Sequence, residues 1–418
     1  MANICYICLD NFILPKILNS GLTLCNVCAN RLTRCPETRT ILTAKYDNIF
    51  IKKFFRYQEK FDISKLSIEY IQLFNELSNV DFAEIAPKKL IMIDKEIKLI
   101  IDKCVDLEYA NKKGERMIHI LCSYGSLKSI EYLVNKGVEL NCADIFGRHP
   151  LHNICSRDDG DIEIVKYFIN LGGVDLECTD NDNLRPIHTA CWLHAKGYEI
   201  ILLLAEKNVD LECTYDNGLG RLIHMACEMN DVPTVQFLIE KGVDLECKDI
   251  NGRRPIHIIC EYGEIHLFTI VKLLVINGGV SLDCIDNEGQ RPIHAICKNI
   301  FDWELKIKAF KFLTERINLN CADIYGCRPI HILCANNSIK AVKILVKKGA
   351  KINCADNNGM YPIHYACKTR SLNLIKFLAG NGANLNVADK CGMRPILIAW
   401  NIRSLDIFRF FINHGVKI

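Results

Sequence analysis

Four cysteines near the start of the chain, Cys5 and Cys8 followed by Cys25 and Cys28, form two CxxC pairs separated by the stretch from Leu9 to Leu24. Four thiolates at this spacing suit tetrahedral zinc, the ion that sulfur ligands hold at structural sites. A segment of about 40 residues has too little apolar mass to fold alone, so one bound zinc would supply the missing stability. The alternative is four buried free thiols. Further along, eight H-x-x-C pairs raise the same question: His119 and Cys122, His152 and Cys155, His188 and Cys191, His224 and Cys227, His257 and Cys260, His294 and Cys297, His331 and Cys334, His364 and Cys367. Residues three apart on a helix share a side, which makes a metal conceivable. A structural zinc wants four ligands, however, and each pair offers two. A small thiol filling a core is the simpler role. A third series, Cys142, Cys178, Cys213, Cys247, Cys284, Cys321 and Cys354, takes the same filler reading. Stacked elements roughly 8–10 Å apart exceed the Cα separation of about 7 Å that a disulfide tolerates.

The elements that position these residues repeat. Successive histidines of the eight stand about 33 to 37 positions apart, the spacing of a repeat array, and Leu397 occupies the same slot one period after His364. Each unit has an Asp or Asn three residues before a turn position, which is Gly in most units and Asn183 in one, as a turn with positive φ requires. In the unit of His224 the slot holds Leu219, which predicts a rearranged turn. Pro falls two residues before most of the histidines, where it fits the first turn of a helix. A second helix follows, clearest in SIKAVKILVKKG, with Ser338 as N-cap, Val342, Leu345 and Val346 on one face, and Gly349 as terminator.

Turn, helix, helix at a period of about 33 residues, carrying R-P-I-H-x-x-C, resembles the ankyrin repeat over about three quarters of the chain. The fold expected is mainly α: an α-solenoid of about nine helix-turn-helix repeats plus a partial first one, spanning 95–418. A helical connector is expected over 45–94 and a small zinc-binding head over 1–44. The resemblance implies that each repeated His bridges backbone groups of neighbouring turns, and that partners are recognised by exposed turn-tip and inner-helix side chains such as Phe146, Tyr325 and Tyr361. The final segment NHGVKI lacks a polar terminal repeat, so the last helix is expected to expose one flank, for fraying or for a partner.

Arg116, Arg185, Arg221, Arg254, Arg291, Arg328 and Arg394 lie three residues before the His slot. Arg cannot accept a capping hydrogen bond and is poorly placed beside the positive end of a helix, so something must compensate. The bland reading pairs each with the Asp five residues upstream; the functional one makes them a basic stripe facing an acidic protein partner.

Composition narrows the class. In 418 residues, 52 Lys and Arg against 49 Asp and Glu give a net charge of +3, so bulk charge gives no reason to expect a polyanion binder, although a local basic stripe is compatible with it. Nucleic acid is disfavoured as a partner, since no aromatics interleave with the arginines. No apolar run is long enough to span a membrane, and MANICYIC is not laid out as a signal peptide. The 23 cysteines therefore read as reduced thiols in the cytoplasm or nucleus, not in a secreted protein. Walker, GxSxG, HExxH and dinucleotide motifs are missing, which leaves any activity to the head.

The head resembles a RING finger. Cys5, Cys8, Cys25 and Cys28 match the ligands of one zinc; Ser20, Leu22, Cys35 and Thr38 fall on the ligands of the other, of which only Cys35 is kept. That half is then expected to be held by packing and hydrogen bonds, as in the metal-free U-box. Ile7, Leu32, Pro36 and Arg39 match the positions at which the family contacts a ubiquitin-conjugating enzyme. The resemblance implies an adaptor: a one-zinc RING-type ubiquitin ligase acting by positioning, with no nucleophile of its own, whose array captures the protein to be modified. The alternative is a non-enzymatic interaction scaffold with a structural zinc knob. An Ile-, Lys- and Asn-rich vocabulary also resembles the ankyrin-repeat proteins of large DNA viruses, which would place the chain in an infected host cell.

Overall fold

A computed structural model describes residues 106–416 apart from 158, 159, 194 and 299–302, together with 15–17, 23–25, 94, 97–99, 101 and 102. The chain divides into two compact units, Met1–Asn111 and Lys112–Ile418. In the first, β1 (Pro15–Ile17) runs antiparallel to β2 (Thr23–Cys25), with Pro15 opposite Cys25. Most of the head and nearly all of the connector lie outside the described residues.

The described residues of the second unit form nine helix pairs. They are α1 (Met117–Tyr124) with α2 (Leu127–Val134), α3 (Pro150–Cys155) with α4 (Ile162–Asn170), and α5 (Pro186–Cys191) with α6 (Ala195–Glu206). A ribbon of β3 (Thr214–Tyr215) and β4 (Gly220–Arg221) precedes α7 (Leu222–Glu228) and α8 (Val232–Glu240). Then come α9 (Pro255–Tyr262) with α10 (Leu267–Lys272), α11 (Pro292–Lys298) with α12 (Trp303–Thr314), and α13 (Pro329–Ala335) with α14 (Ile339–Lys347). The series ends with α15 (Pro362–Lys368) and α16 (Leu372–Gly380), then α17 (Pro395–Asn401) and α18 (Leu405–Asn413). First helices stack on first helices and second on second, giving two layers edged by hairpins.

Local chemistry explains each element. Pro opens the first helix in seven of the nine pairs, where its missing N–H costs nothing. Second helices start at caps such as Ser126, whose hydroxyl accepts from Ser129 N at 3.2 Å, and Asp231, which accepts from Thr234 N at 3.4 Å. Ser338 stands at the N-cap of α14, but its side chain makes no capping bond. In the longer interval between His257 and His294, a π-helical turn, Leu273–Asn277, absorbs part of the extra length. The core between the layers is aliphatic, with Ile, Leu and Val joined by Phe168, Phe310 and Phe411, and all eight helix-borne cysteines are fully enclosed in it.

Candidate partner-binding face

The hairpins that edge the two layers are fixed from within. In the hairpin of Asp323, one carboxylate oxygen accepts the backbone N–H of Tyr325 at 2.9 Å and of Cys327 at 2.8 Å; Asp144, Asp180, Asp249, Asp286, Asp356 and Asp389 repeat the arrangement. Gly326 follows with φ 75°, and a Cβ there would stand 2.7 Å from the backbone nitrogen of Asn357. Asn183 adopts the same left-handed conformation at φ 57°. In the unit of His224, Leu219 stays right-handed at φ −56°, and positive φ shifts to Asp216 and Gly218, a rearrangement the sequence predicts.

Neighbouring hairpins are tied main chain to main chain. Asn181 N donates to Phe146 O at 2.9 Å, Ile324 N to Glu288 O at 3.0 Å and Asn357 N to Tyr325 O at 2.9 Å. Amide side chains add a second tie where an Asn tip follows an Ile tip: Asn181 Nδ2 to Ile145 O, Asn287 Nδ2 to Ile250 O and Asn357 Nδ2 to Ile324 O.

The repeated histidines stand at the junction of hairpin and helix, third residue of the first helix in each pair. Nδ1 of His257 accepts the N–H of the capping residue Arg254 at 3.1 Å, and Nε2 reaches Gln290 O of the next hairpin at 3.1 Å. His119, His188, His224, His294, His331 and His364 likewise accept from the residue three positions earlier, and His152 accepts from His149. The imidazole thus accepts the backbone N–H of the capping residue, the role Glu or Gln plays in an ordinary capping box, while the Arg side chain itself makes no capping bond. Burial holds all eight rings below the usual histidine range, to about 4 for His188 and His257.

Seven of the eight histidines meet a cysteine, and it belongs to the next hairpin. Cys213 Sγ lies 3.4 Å from His188 Nε2, and Cys142, Cys178, Cys247, Cys284, Cys321 and Cys354 stand 3.8–4.0 Å from a ring nitrogen of their histidines. Desolvation raises the thiols of both series, to about 12 at Cys178, Cys213 and Cys247. Among the described residues no group of three or more His, Cys, Asp or Glu is arranged to hold a metal ion.

The arginines pair differently from the simplest expectation. The Asp five residues upstream is occupied with its own hairpin, and an acidic residue eight or nine positions upstream takes the guanidinium. Arg185 meets Glu177, Arg221 meets Glu212 at 2.5 Å, Arg254 meets Glu246 at 2.7 Å, and Arg291 lies 3.7 Å from Asp283. Asp210 and Asp244 of the following loop approach Arg185 and Arg221 at 3.6 and 3.5 Å. Arg328 donates instead to the carbonyls of Asn320 and Ala355. Arg116 caps α1, half-buried, and Arg394 caps α17, exposed. Most of the stripe is thereby neutralised by the chain itself.

One class of residue escapes sequence inspection. Glu177, Glu212 and Glu246 each use their second oxygen to accept the backbone N–H of the next loop, at Asp210, Asp244 and Ser281, over 2.6–3.0 Å. Asn141, Asn320 and Asn353 do the same toward Asp175, Lys351 and Asn384. The signal is the recurrent Glu-Cys or Asn-Cys dipeptide ahead of six of the hairpins.

On this frame the tips present apolar side chains to solvent: Ile145 and Phe146, Ile250, and Ile324 and Tyr325, each about half exposed or more. Tyr361 is half-buried at the cap of α15, with its ring tilted against His364. In the head, Cys5, Cys8, Cys28, Ser20, Leu22, Cys35, Thr38, Ile7, Leu32, Pro36 and Arg39 lie outside the described residues, and Cys25 is described only as the last residue of β2.

No curated protein matches the chain by sequence. The family model described as Ankyrin repeats (3 copies) matches residues 118–215, 223–323 and 304–389, which together cover more than half of the chain. These spans coincide with the stacked helix pairs and their tied hairpins, and the chain belongs to the ankyrin-repeat family.

Proposed function

We propose that the hairpin tips capture a protein and that the head offers it to a ubiquitin-conjugating enzyme. Ankyrin repeats serve protein–protein interaction. The observation that carries the capture site is the set of exposed apolar tips, Ile145, Phe146, Ile250, Ile324 and Tyr325, mounted on backbone held by inter-repeat hydrogen bonds. Apolar side chains on a preorganised surface bind with little ordering cost. Replacing Phe146, Ile250, Ile324 and Tyr325 by Ser in the full chain tests it. The protein partners that co-purify with the wild type are expected to be lost while the thermal transition is retained, and unchanged partners would refute the site.

For the head, the supporting observations are the ligand spacing of Cys5, Cys8, Cys25 and Cys28 and the residue types at Ile7, Leu32, Pro36 and Arg39. The four thiolates would hold one zinc, whose role is structural. The ligase reading predicts ubiquitin chains when the protein is mixed with activating enzyme and a panel of conjugating enzymes, and loss of them in Ile7→Ala with Arg39→Ala. A second reading, a scaffold with a structural zinc knob, is favoured by the non-ligating Ser20, Leu22 and Thr38 at the second site. It predicts about one zinc per chain, lost on Cys25→Ser, without ubiquitin transfer. A reducing compartment, cytoplasm or nucleus of a host cell if the chain is viral, is part of the proposal. Its support is that the cysteines of the array, from Cys122 to Cys391, are all free thiols.

A further inference from the structure

The near-neutral total hides a segregation of charge along the array. Residues 112–302 carry 29 Asp and Glu against 19 Lys and Arg, whereas residues 303–418 carry 6 against 18. With a Debye length of ~8 Å at physiological ionic strength, the two stretches do not cancel locally.

The second helices order cations into a row that begins at Lys272, near the end of the acidic stretch, and runs through the basic one. Lys272 in α10, Lys311 in α12, Lys343 in α14, Lys376 in α16 and Arg409 in α18 are all exposed, and each directly follows the apolar pair that anchors its helix, such as Val342 with Ala341 or Ile375 with Leu374. Second helices pack side by side from α10 to α14 and from α16 to α18, and Lys343 of α14 lies over the Phe377 ring of α16 at 5.7 Å, so at ~8–10 Å per step five cations make a row ~40 Å long. None of the five has an ion-pair partner among the described residues, whereas Lys340 and Lys348 beside them are paired with Glu304 and Glu315. Exposed Lys347 widens the row by one turn. One turn from three of the cations, alternate units edge the row with aliphatic side chains, exposed at Ile276 and Ile412 and half-exposed at Val346, with Thr314 and Ala379 on the helices between. On the four earlier second helices the same position holds Glu131, Lys166 paired with Glu163, Leu202 and Gln236, so no row forms there.

We propose that this row, separate from the hairpin tips, docks an acidic amphipathic segment of a partner protein. Its charge is complementary to carboxylates, and its aliphatic edge suits apolar residues alternating with them. At ~3.3 Å per residue, an extended segment of about 12 residues spans the row. A nucleic-acid duplex or an anionic bilayer aligned with it would run on past Lys272 over residues 112–271, where acidic groups predominate and repel a polyanion; a short segment stops at the row's end.

Fluorescence anisotropy of the full chain with a labelled 14-residue peptide alternating Glu with Leu tests this, alongside a Gln-for-Glu version, a 14-base-pair DNA duplex and phosphatidylserine-containing vesicles. Expected are saturable binding of the Glu peptide that weakens with salt, and no binding of the Gln version. Lys311→Glu with Lys343→Glu and Lys376→Glu is expected to weaken binding at least tenfold, and the exposed control pair Lys128→Glu with Lys248→Glu by less than twofold. Should the triple variant unfold, Lys343→Gln with Lys376→Gln serves, with about a threefold loss expected. Absence of saturable binding, equal loss in the control pair, or tighter binding of the duplex or the vesicles would overturn the proposal.

Discussion

Glu212 receives the guanidinium of Arg221 on one carboxylate oxygen at 2.5 Å and the backbone N–H of Asp244, one loop further on, on the other at 2.6 Å. A single side chain thus links the cap of one helix to the next repeat.

The two bonds differ in worth, and substitution separates them. Both partners of the ion pair are about a third exposed, so the pair contributes under about 1 kcal/mol. The bond from the backbone to the carboxylate contributes more, about 1–2 kcal/mol. Glu212→Ala is therefore expected to lower stability more than Arg221→Ala, and Glu212→Gln, which keeps an acceptor, to cost about half as much as Ala or less. Hydrogen exchange at the Asp244 amide checks it: roughly tenfold faster in the Ala variant, little changed in the Gln variant.

Stability of the array is expected to fall in mild acid. Each repeated imidazole accepts an N–H at Nδ1, so protonation there opposes hydrogen to hydrogen, and burial opposes the charge. Folded values lie below the unfolded value of about 6.5, near 4 for His188 and His257. The unfolded chain then binds more protons, and stability that is complete above about pH 7 is lost as pH falls from 6.5 toward 4. Around His257 the charged neighbours are Arg254, which opposes protonation, and Asp286, which favours it without outweighing burial. Urea midpoints from pH 7.5 to 4.5 measure the loss, and His257→Gln is expected to lower the midpoint at pH 7.5 while reducing its pH dependence.

Within the array, thiol chemistry is expected to be confined to few positions. Of the array's cysteines from Cys122 to Cys391, Cys391 is exposed and Cys327 partly so; the others are buried, and burial raises their thiols. Thiolate is the reactive form, so iodoacetamide at pH 8 is expected to modify Cys391 first, Cys327 slowly, and the helix-borne series only after unfolding. Peptide mapping by mass spectrometry gives the order.

Two hairpin glycines separate conformational from steric cost. Gly326 and Gly392 have φ 75° and 76°, but an added Cβ meets the Asn357 backbone at Gly326 and nothing within 4 Å at Gly392. Gly392→Ala is expected to cost about 1 kcal/mol for the left-handed backbone alone. Gly326→Ala is expected to cost about 1–2 kcal/mol more, because the inter-repeat bond from Asn357 to Tyr325 must shift. Thermal unfolding of the two single variants compares them.

The repeat was legible in the chain itself, because its rules are local and are written nine times. A turn that needs positive φ, a Pro that opens a helix and an apolar stripe of helical period all act within a single repeat. Tertiary structure decided what those repeats do to one another. Nothing in the spacing showed that Asp180 or Asp249 would be spent on its own hairpin, leaving Arg185 and Arg254 to Glu177 and Glu246. Nor did it show that His188 would meet Cys213 of the next hairpin while Cys191, three residues away, packs into the core. A near-zero net charge likewise concealed the row from Lys272 to Arg409. Stacking sets these relations: each repeat places its polar atoms against the next at a register fixed by the packing of both layers, and a sequence read one residue at a time carries no distance between them.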